Sequence, residues 1–264
     1  MSMLRVPHLK RYRPGAENDI APPSQEALSF SFKWFAALDA YHRYRIEGLE
    51  HVPRSGPGLI VSHHSYIVID TMLLFRRIYL RDGRIPRSLT DHAMFKIPVI
   101  RDLFYTWGVL DGTPENGLRV LADGQLALVM PGGGLEWSRP STQAQSLRWG
   151  EHRGYARLAI RAGVPIIPTA CPSADHLYIV PFDAWKVAKT LEQWLGMHRI
   201  PPMPIGFGLG PLPFPVRLTQ YVAPPILPDV SPEAADDEVA VKRLDDRVRE
   251  AITELLHRRS PAGS

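Results

Sequence analysis

The chain has 264 residues, 45% of them apolar, enough for one sizeable core, with 31 basic against 27 acidic side chains. Its single cysteine, Cys171, excludes a disulfide framework and fits a reducing compartment. No apolar run reaches the roughly 18–20 residues that span a bilayer, and the charged, proline-containing N-terminus lacks a signal-peptide core. The net charge of +4 favours anionic partners, yet no basic-aromatic platform argues for nucleic acid.

Residues 1–25 are expected to form a loose polar arm, with Lys10, Arg11 and Arg13 clustered. Residues 26–44 read as an amphipathic helix with Phe30, Trp34, Ala37, Leu38 and Tyr41 on one face and Lys33, Arg43 and Arg45 around it. That face either packs on the core or lies in a lipid interface. After the turn cluster 53–57, Leu59-Ile60-Val61 reads as a buried strand that stops at Ser62-His63-His64-Ser65. Asp70 follows inside an otherwise apolar segment, where an acid is costly unless paired. A helix over 71–79 runs out at Gly83. The segment 89–94 is ambiguous, 95–100 and 103–107 are apolar, and 108–112 suggests a short strand and turn.

The next stretch is better punctuated. Thr113 can cap a helix that has Pro114 at its first position and ends at Gly124. Residues 126–130 then form an apolar strand ending in Pro131-Gly-Gly-Gly-Leu-Glu136. A second helix–strand unit follows, with a helix over 154–162, Gly163 as its stop and a strand over Val164-Pro-Ile-Ile-Pro168. Residues 185–195 read as helix, and the Pro-rich run 201–228 as irregular with edge strands at most. Residues 236–259 form an amphipathic helix with Val241, Leu244, Val248, Ile252 and Leu255 as its apolar stripe. Strands alternating with helices predict an α/β fold: a mixed, largely parallel sheet flanked by helices, in one domain over 26–264. Its active site is expected at the strand C-terminal ends.

Three familiar motifs fail. Gly206-Phe-Gly-Leu-Gly210 imitates a dinucleotide fingerprint, but Pro-Leu-Pro follows where a helix must start. Gly112 to Gly117 has P-loop spacing without the Lys-Ser/Thr, and no Gly-x-Ser-x-Gly elbow is present. The histidines remain. Six residues of continuous helix turn about 600°, so His64 and Asp70 meet only if the backbone bends between them. His63, seven residues before Asp70, would share a helical face with it. A base oriented by a carboxylate is one reading, and a buried polar pair satisfying itself is another. A metal site from His63, His64 and His92 lacks a recognised ligand spacing.

The blocks Ser62-His-His-Ser…Asp70, Pro131-Gly-Gly-Gly-Leu-Glu136 and Val164-Pro-Ile-Ile-Pro168, in that order, resemble the glycerolipid acyltransferase superfamily across residues 46–170. His64-x5-Asp70 is one residue longer than the usual first block and is similar to the diacylglycerol and monoacylglycerol acyltransferase branch. Leu135 stands where phosphate-acceptor members often have an Arg, and the second-block Arg is missing over 109–112. A guanidinium suits bidentate phosphate binding, so its loss favours a neutral glycerolipid acceptor over a lysophospholipid, unless Arg139, Arg148 or Arg153 substitutes.

The resemblance implies transfer of a fatty acyl group from acyl-CoA or acyl carrier protein to a lipid hydroxyl, with no bound cofactor or metal. His64 would be the base and Asp70 its partner. The N–H groups of Gly132, Gly133 and Gly134 would hold the oxyanion. Glu136 would bind the acceptor or anchor the loop. Ser65, Lys96 and Arg153 complete the substrate-contacting set, with Arg76, Arg77 and Arg101 as further cations toward donor phosphates. Such an enzyme would work in the cytoplasm, peripherally on a membrane surface. The competing expectations are a non-catalytic lipid-binding protein and a metal-dependent hydrolase.

Overall fold

The computed structural model describes residues 12–23, 25–195, 204–210 and 212–258. Seven strands form one sheet among these residues: β1 (Arg45–Glu47), β2 (Gly58–Ser62), β3 (Arg87–Thr90), β4 (Leu110–Asp111), β5 (Leu126–Val129), β6 (Ile166–Ala170) and β7 (Thr219–Val222). Their order is β1-β7-β6-β2-β5-β3-β4. Only β6 and β7 pair antiparallel. The central strand β2 lies parallel to β5 on one side, Val61 opposite Val129, and to β6 on the other, Ser62 opposite Thr169. A central parallel strand is buried on both faces and therefore reads as an unbroken apolar run.

The helices are α1 (Gln25–Tyr41), α2 (Ile69–Asp82), α3 (Pro98–Trp107), α4 (Pro114–Ala122), α5 (Gly133–Trp137), α6 (Gly154–Ala162), α7 (Ala184–Leu195) and α8 (Glu238–Leu256). Leu59 and Val61 of β2 join one core with α6 and the stripe of α8. Ile60 faces the other way, toward Leu74 and Ile78 of α2. This alternation places one helical layer on each face of the sheet. The punctuation acts as read. The Thr113 hydroxyl accepts from the Asn116 N–H, Asp237 caps α8, and Gly83 and Gly163 end their helices in the left-handed region.

Several expectations are corrected. Residues 12–23 are strapped down rather than loose, while the Lys10 and Arg11 part of the expected arm lies outside the described residues. Fully buried Arg87 donates to the carbonyls of Asp19, Ile20, Ala21 and Gly108. Those carbonyls replace the water a guanidinium loses on burial, and burial still lowers its pKa to about 10. On α1 the packed side is Ala27, Leu28, Ser31 and Phe35, so Trp34 (66% exposed) and Tyr41 point outward. The strand expected over 164–168 is displaced to Ile166–Ala170. β7 is interior, between β1 and β6, because Thr219–Val222 is free of proline. The C-terminal helix spans 238–256, and Arg259 lies outside the described residues.

Candidate active site

β2 ends at Ser62 and α2 begins at Ile69, so residues 63–68 form the corner that a His–Asp contact needs. Ser65 is its pivot. The Ser65 hydroxyl donates to Asp70 Oδ1 at 2.8 Å, while the Ser65 carbonyl oxygen lies 2.8 Å from His64 Nδ1. A carbonyl can only accept, so Nδ1 carries the hydrogen and Nε2 keeps its lone pair. That Nε2 has no partner among the described residues. Burial lowers the His64 pKa to about 4, with neighbouring His63 and Arg139 adding to the effect against the Ser65 carbonyl. The ring is therefore neutral near pH 7. Asp70 is sealed, and burial raises its pKa to about 6, against the Ser65 hydrogen bond and the His63 charge. No direct hydrogen bond joins His64 and Asp70; Ser65 stands between them.

His63 is fully buried and belongs to a different group. Its Nε2 meets Arg139 Nη2 and lies 3.3 Å from Asp175 Oδ2. Burial opposes a charge on this ring, but the Asp175 carboxylate outweighs it and raises the pKa. Burial would likewise raise Asp175, yet His63 and Arg139 hold it well below the carboxylate range. Arg139 also donates to the carbonyls of His64 and Glu136, so this ion cluster underpins the histidine corner.

Glu136, fully buried, accepts from the His64 N–H and from Trp149 Nε1, each at 3.0 Å. Burial raises its pKa, against the charges of His63 and Arg139 and these donors. The contacts support its reading as a loop anchor, because no carboxylate oxygen is exposed to a substrate. The triple glycine forms the first turn of α5. Gly132 is buried, and a Cβ there would lie 2.4 Å from Glu136 Oε2. The Gly133 N–H donates to the Met130 carbonyl, and the Gly134 N–H has no partner among the described residues.

The expected cations are largely engaged. Arg76 and Arg77 both bind Asp39, tying α2 to α1. Arg153 pairs with Glu151 and Asp245 beside α8, and Arg148 pairs with Asp183 at 3.0 Å. Arg101 stacks on Tyr12, His92 bonds Asp111, and Lys96 is exposed. A crevice of only about 10 Å³ opens beside the corner, lined by Tyr66, Trp137, Arg139 and Asp175 among others. Sequence reasoning passed over Asp175. The available signal was a lone acid just beyond a buried strand, the same signal that singled out Asp70.

A mostly parallel sheet with a histidine corner on its central strand and a glycine–glutamate turn on the next defines an acyltransferase-type α/β protein. The family model "Acyltransferase" matches residues 43–172, just under half of the chain, in which the His64 corner and the glycine–glutamate turn both lie. The chain is 30% identical over 230 residues to the human "DGAT1/2-independent enzyme synthesizing storage lipids", covering 86% of this chain and 66% of that one. The bovine protein of that name is 29% identical over 230 residues, with 86% and 64% covered. The chain thus spans just under two thirds of these relatives' lengths. The solved Thermotoga maritima 1-acyl-sn-glycerophosphate acyltransferase shares the fold, with a TM-score of 0.53 at 19% identity, over 89% of this chain and 80% of that one. No helix among the described residues is long and apolar enough to cross a membrane.

Proposed function

We propose that this protein transfers a fatty acyl group from an acyl thioester, on CoA or acyl carrier protein, to a glycerolipid hydroxyl, with His64 as general base. The observation that carries the reading is the state of His64: neutral, its Nδ1–H held by the Ser65 carbonyl, its Nε2 lone pair without a partner among the described residues. Nε2 takes the hydroxyl proton as that oxygen attacks the thioester carbonyl and the new C–O bond forms. The tetrahedral oxyanion accepts from the Gly134 N–H, which has no partner among the described residues. Collapse breaks the C–S bond, and the imidazolium returns its proton to the departing thiolate. Asp70 acts through Ser65. No step requires a metal or redox group.

A neutral glycerolipid acceptor is favoured over a lysophospholipid. Arg139, Arg148 and Arg153, the candidates for an acceptor phosphate, are each committed to a carboxylate of this chain. The reaction takes place at a membrane surface reached from the cytoplasm, where the outward Trp34 and Tyr41 of α1 meet lipid. Labelled acyl-CoA supplied to vesicles carrying a panel of acceptors tests the proposal. Label in diacylglycerol or triacylglycerol supports it, label in phosphatidate overturns the acceptor assignment, and no acceptor-dependent thioester loss overturns acyl transfer.

A further inference from the structure

The segment that only imitated a nucleotide motif has a different logic. From Pro201 to Val216 the sequence contains no charged residue. Within it, Ile205, Phe207 and Leu209 alternate with Gly206 and Gly208, and the three large side chains are 53–57% exposed. The glycines face inward. A Cβ on Gly206 would fall 2.4 Å from the Tyr66 ring, and one on Gly208 would fall 3.0 Å from the Tyr178 ring. Phe207 pairs antiparallel with Ile179, itself 54% exposed, and Leu209 pairs back to Leu212, 58% exposed. An ordinary surface strand turns its apolar side to the core. This hairpin does the reverse, laying glycine on two tyrosines and presenting a continuous apolar ridge outward.

Two further observations specify what meets the ridge. The Tyr66 hydroxyl donates to the Pro204 carbonyl at 3.2 Å and accepts the Gly206 N–H at 3.1 Å, so the hairpin is fastened two residues from His64. The Tyr41 hydroxyl donates to the Pro213 carbonyl at 2.9 Å, which joins the ridge to the C-terminal end of α1, about two turns beyond outward Trp34. Exposed Lys33, Arg43 and Arg217 border this region, and none has a carboxylate partner among the described residues. On the α8 face, by contrast, Arg157, Arg161, Lys242, Arg243 and Arg249 are all paired. Positive charge left open beside an apolar ridge complements anionic headgroups over hydrocarbon.

We infer that the ridge formed by residues 205–210 and Leu212 inserts into the surface of an anionic bilayer and, through Tyr66, sets the His64 corner against it. The inference rests on the acyl-transfer reading for its purpose; the docking itself does not. The experiment is sedimentation of the full chain and of Phe207→Glu/Leu209→Glu with phosphatidylcholine vesicles, with and without phosphatidylglycerol. Removing two inserting side chains of this size is expected to weaken binding at least about tenfold. Both side chains are exposed, so the thermal midpoint should stay as in wild type. Lys33→Ala/Arg217→Ala should weaken binding only where phosphatidylglycerol is present.

Hydrogen exchange on the wild-type chain gives a second readout: vesicles should protect the amides of 205–210. Undiminished binding by Phe207→Glu/Leu209→Glu, or unprotected hairpin amides, overturns the inference. So does a wild-type dimer that the substitutions dissociate while vesicle binding persists, because the ridge would then join two copies. The two readings separate in one assay. If wild type binds vesicles through the hairpin but transfers no acyl group in vesicles or detergent micelles, docking stands and acyl transfer falls. If the double variant keeps wild-type turnover and binding on vesicles, docking falls and acyl transfer stands.

Discussion

The Ser65 hydroxyl is hydrogen-bonded to Asp70 Oδ1 at 2.8 Å, and the same residue's carbonyl fixes the tautomer of His64. Both bonds issue from a residue that is 1% exposed. Ser65→Ala keeps the carbonyl but leaves the buried carboxylate without its side-chain donor. It should cost about 1–3 kcal/mol in urea denaturation and push the Asp70 pKa higher still. Acyl transfer should fall by at least about tenfold, since a second hydrogen-bonded group orients the base through it. Wild-type stability in this variant would show that the bond contributes nothing.

His64 and His63 should respond oppositely to substitution. His64→Ala removes a half-buried ring with an unpartnered Nε2, and turnover should drop by about 10²–10⁴-fold with little change in stability. Asp175→Ala attacks the cluster around His63 and leaves the buried Arg139 guanidinium without its carboxylate. A loss of about 3–5 kcal/mol is expected, read by denaturant midpoint. A stable Asp175→Ala protein would remove the case that this cluster supports the corner.

Asp70 should couple stability to pH in an unusual direction. Its pKa in the folded chain is about 6, above the ordinary carboxyl value of 3.8. The folded state therefore holds the proton more tightly, and this group's contribution to stability declines as pH rises from about 4 to about 6. Asp70→Asn should accordingly gain up to about 3 kcal/mol at pH 8, where the buried charge is fully present, and nothing near pH 4. The same substitution should abolish most turnover. Urea midpoints of both proteins across this range provide the check, and equal midpoints at pH 8 would refute the assignment.

Turnover has a matching profile. His64, depressed to about 4, is already neutral at pH 6, so the acid limb should follow ionisation of Asp70 near 6. The residual activity of Asp70→Asn should lack that limb and decline only toward pH 4. An unchanged limb in the variant would assign it to another group.

Gly132→Ala tests the glycine turn. Its Cβ would strike Glu136, whose carboxylate already serves His64 and Trp149, so both the turn and the histidine corner must shift. A loss of about 1–3 kcal/mol is expected from the overpacking, with activity falling further than stability. Gly133→Ala, with open space around it but a φ of +43°, should show the smaller strain of the left-handed region alone.

Much of this was legible in the chain itself. Thr113, Pro114, Gly83 and Gly163 punctuate helices because capping and left-handed stops are local chemistry, decided within a few residues. The apolar runs of β2 and β5 and the stripe of α8 announced a buried parallel sheet with helices against it. What local pattern could not carry was partnership across the fold. β7 becomes an interior strand only because β1 and β6 flank it, and Arg87 clasps carbonyls more than sixty residues away. The choice between two adjacent histidines is of the same kind. Sequence placed both beside an acid, but only the tertiary structure buries His63 against Arg139 and Asp175 and leaves His64 Nε2 without a partner among the described residues. A pKa and a free lone pair are properties of surroundings, and those surroundings come from β6, α5 and the loop after them.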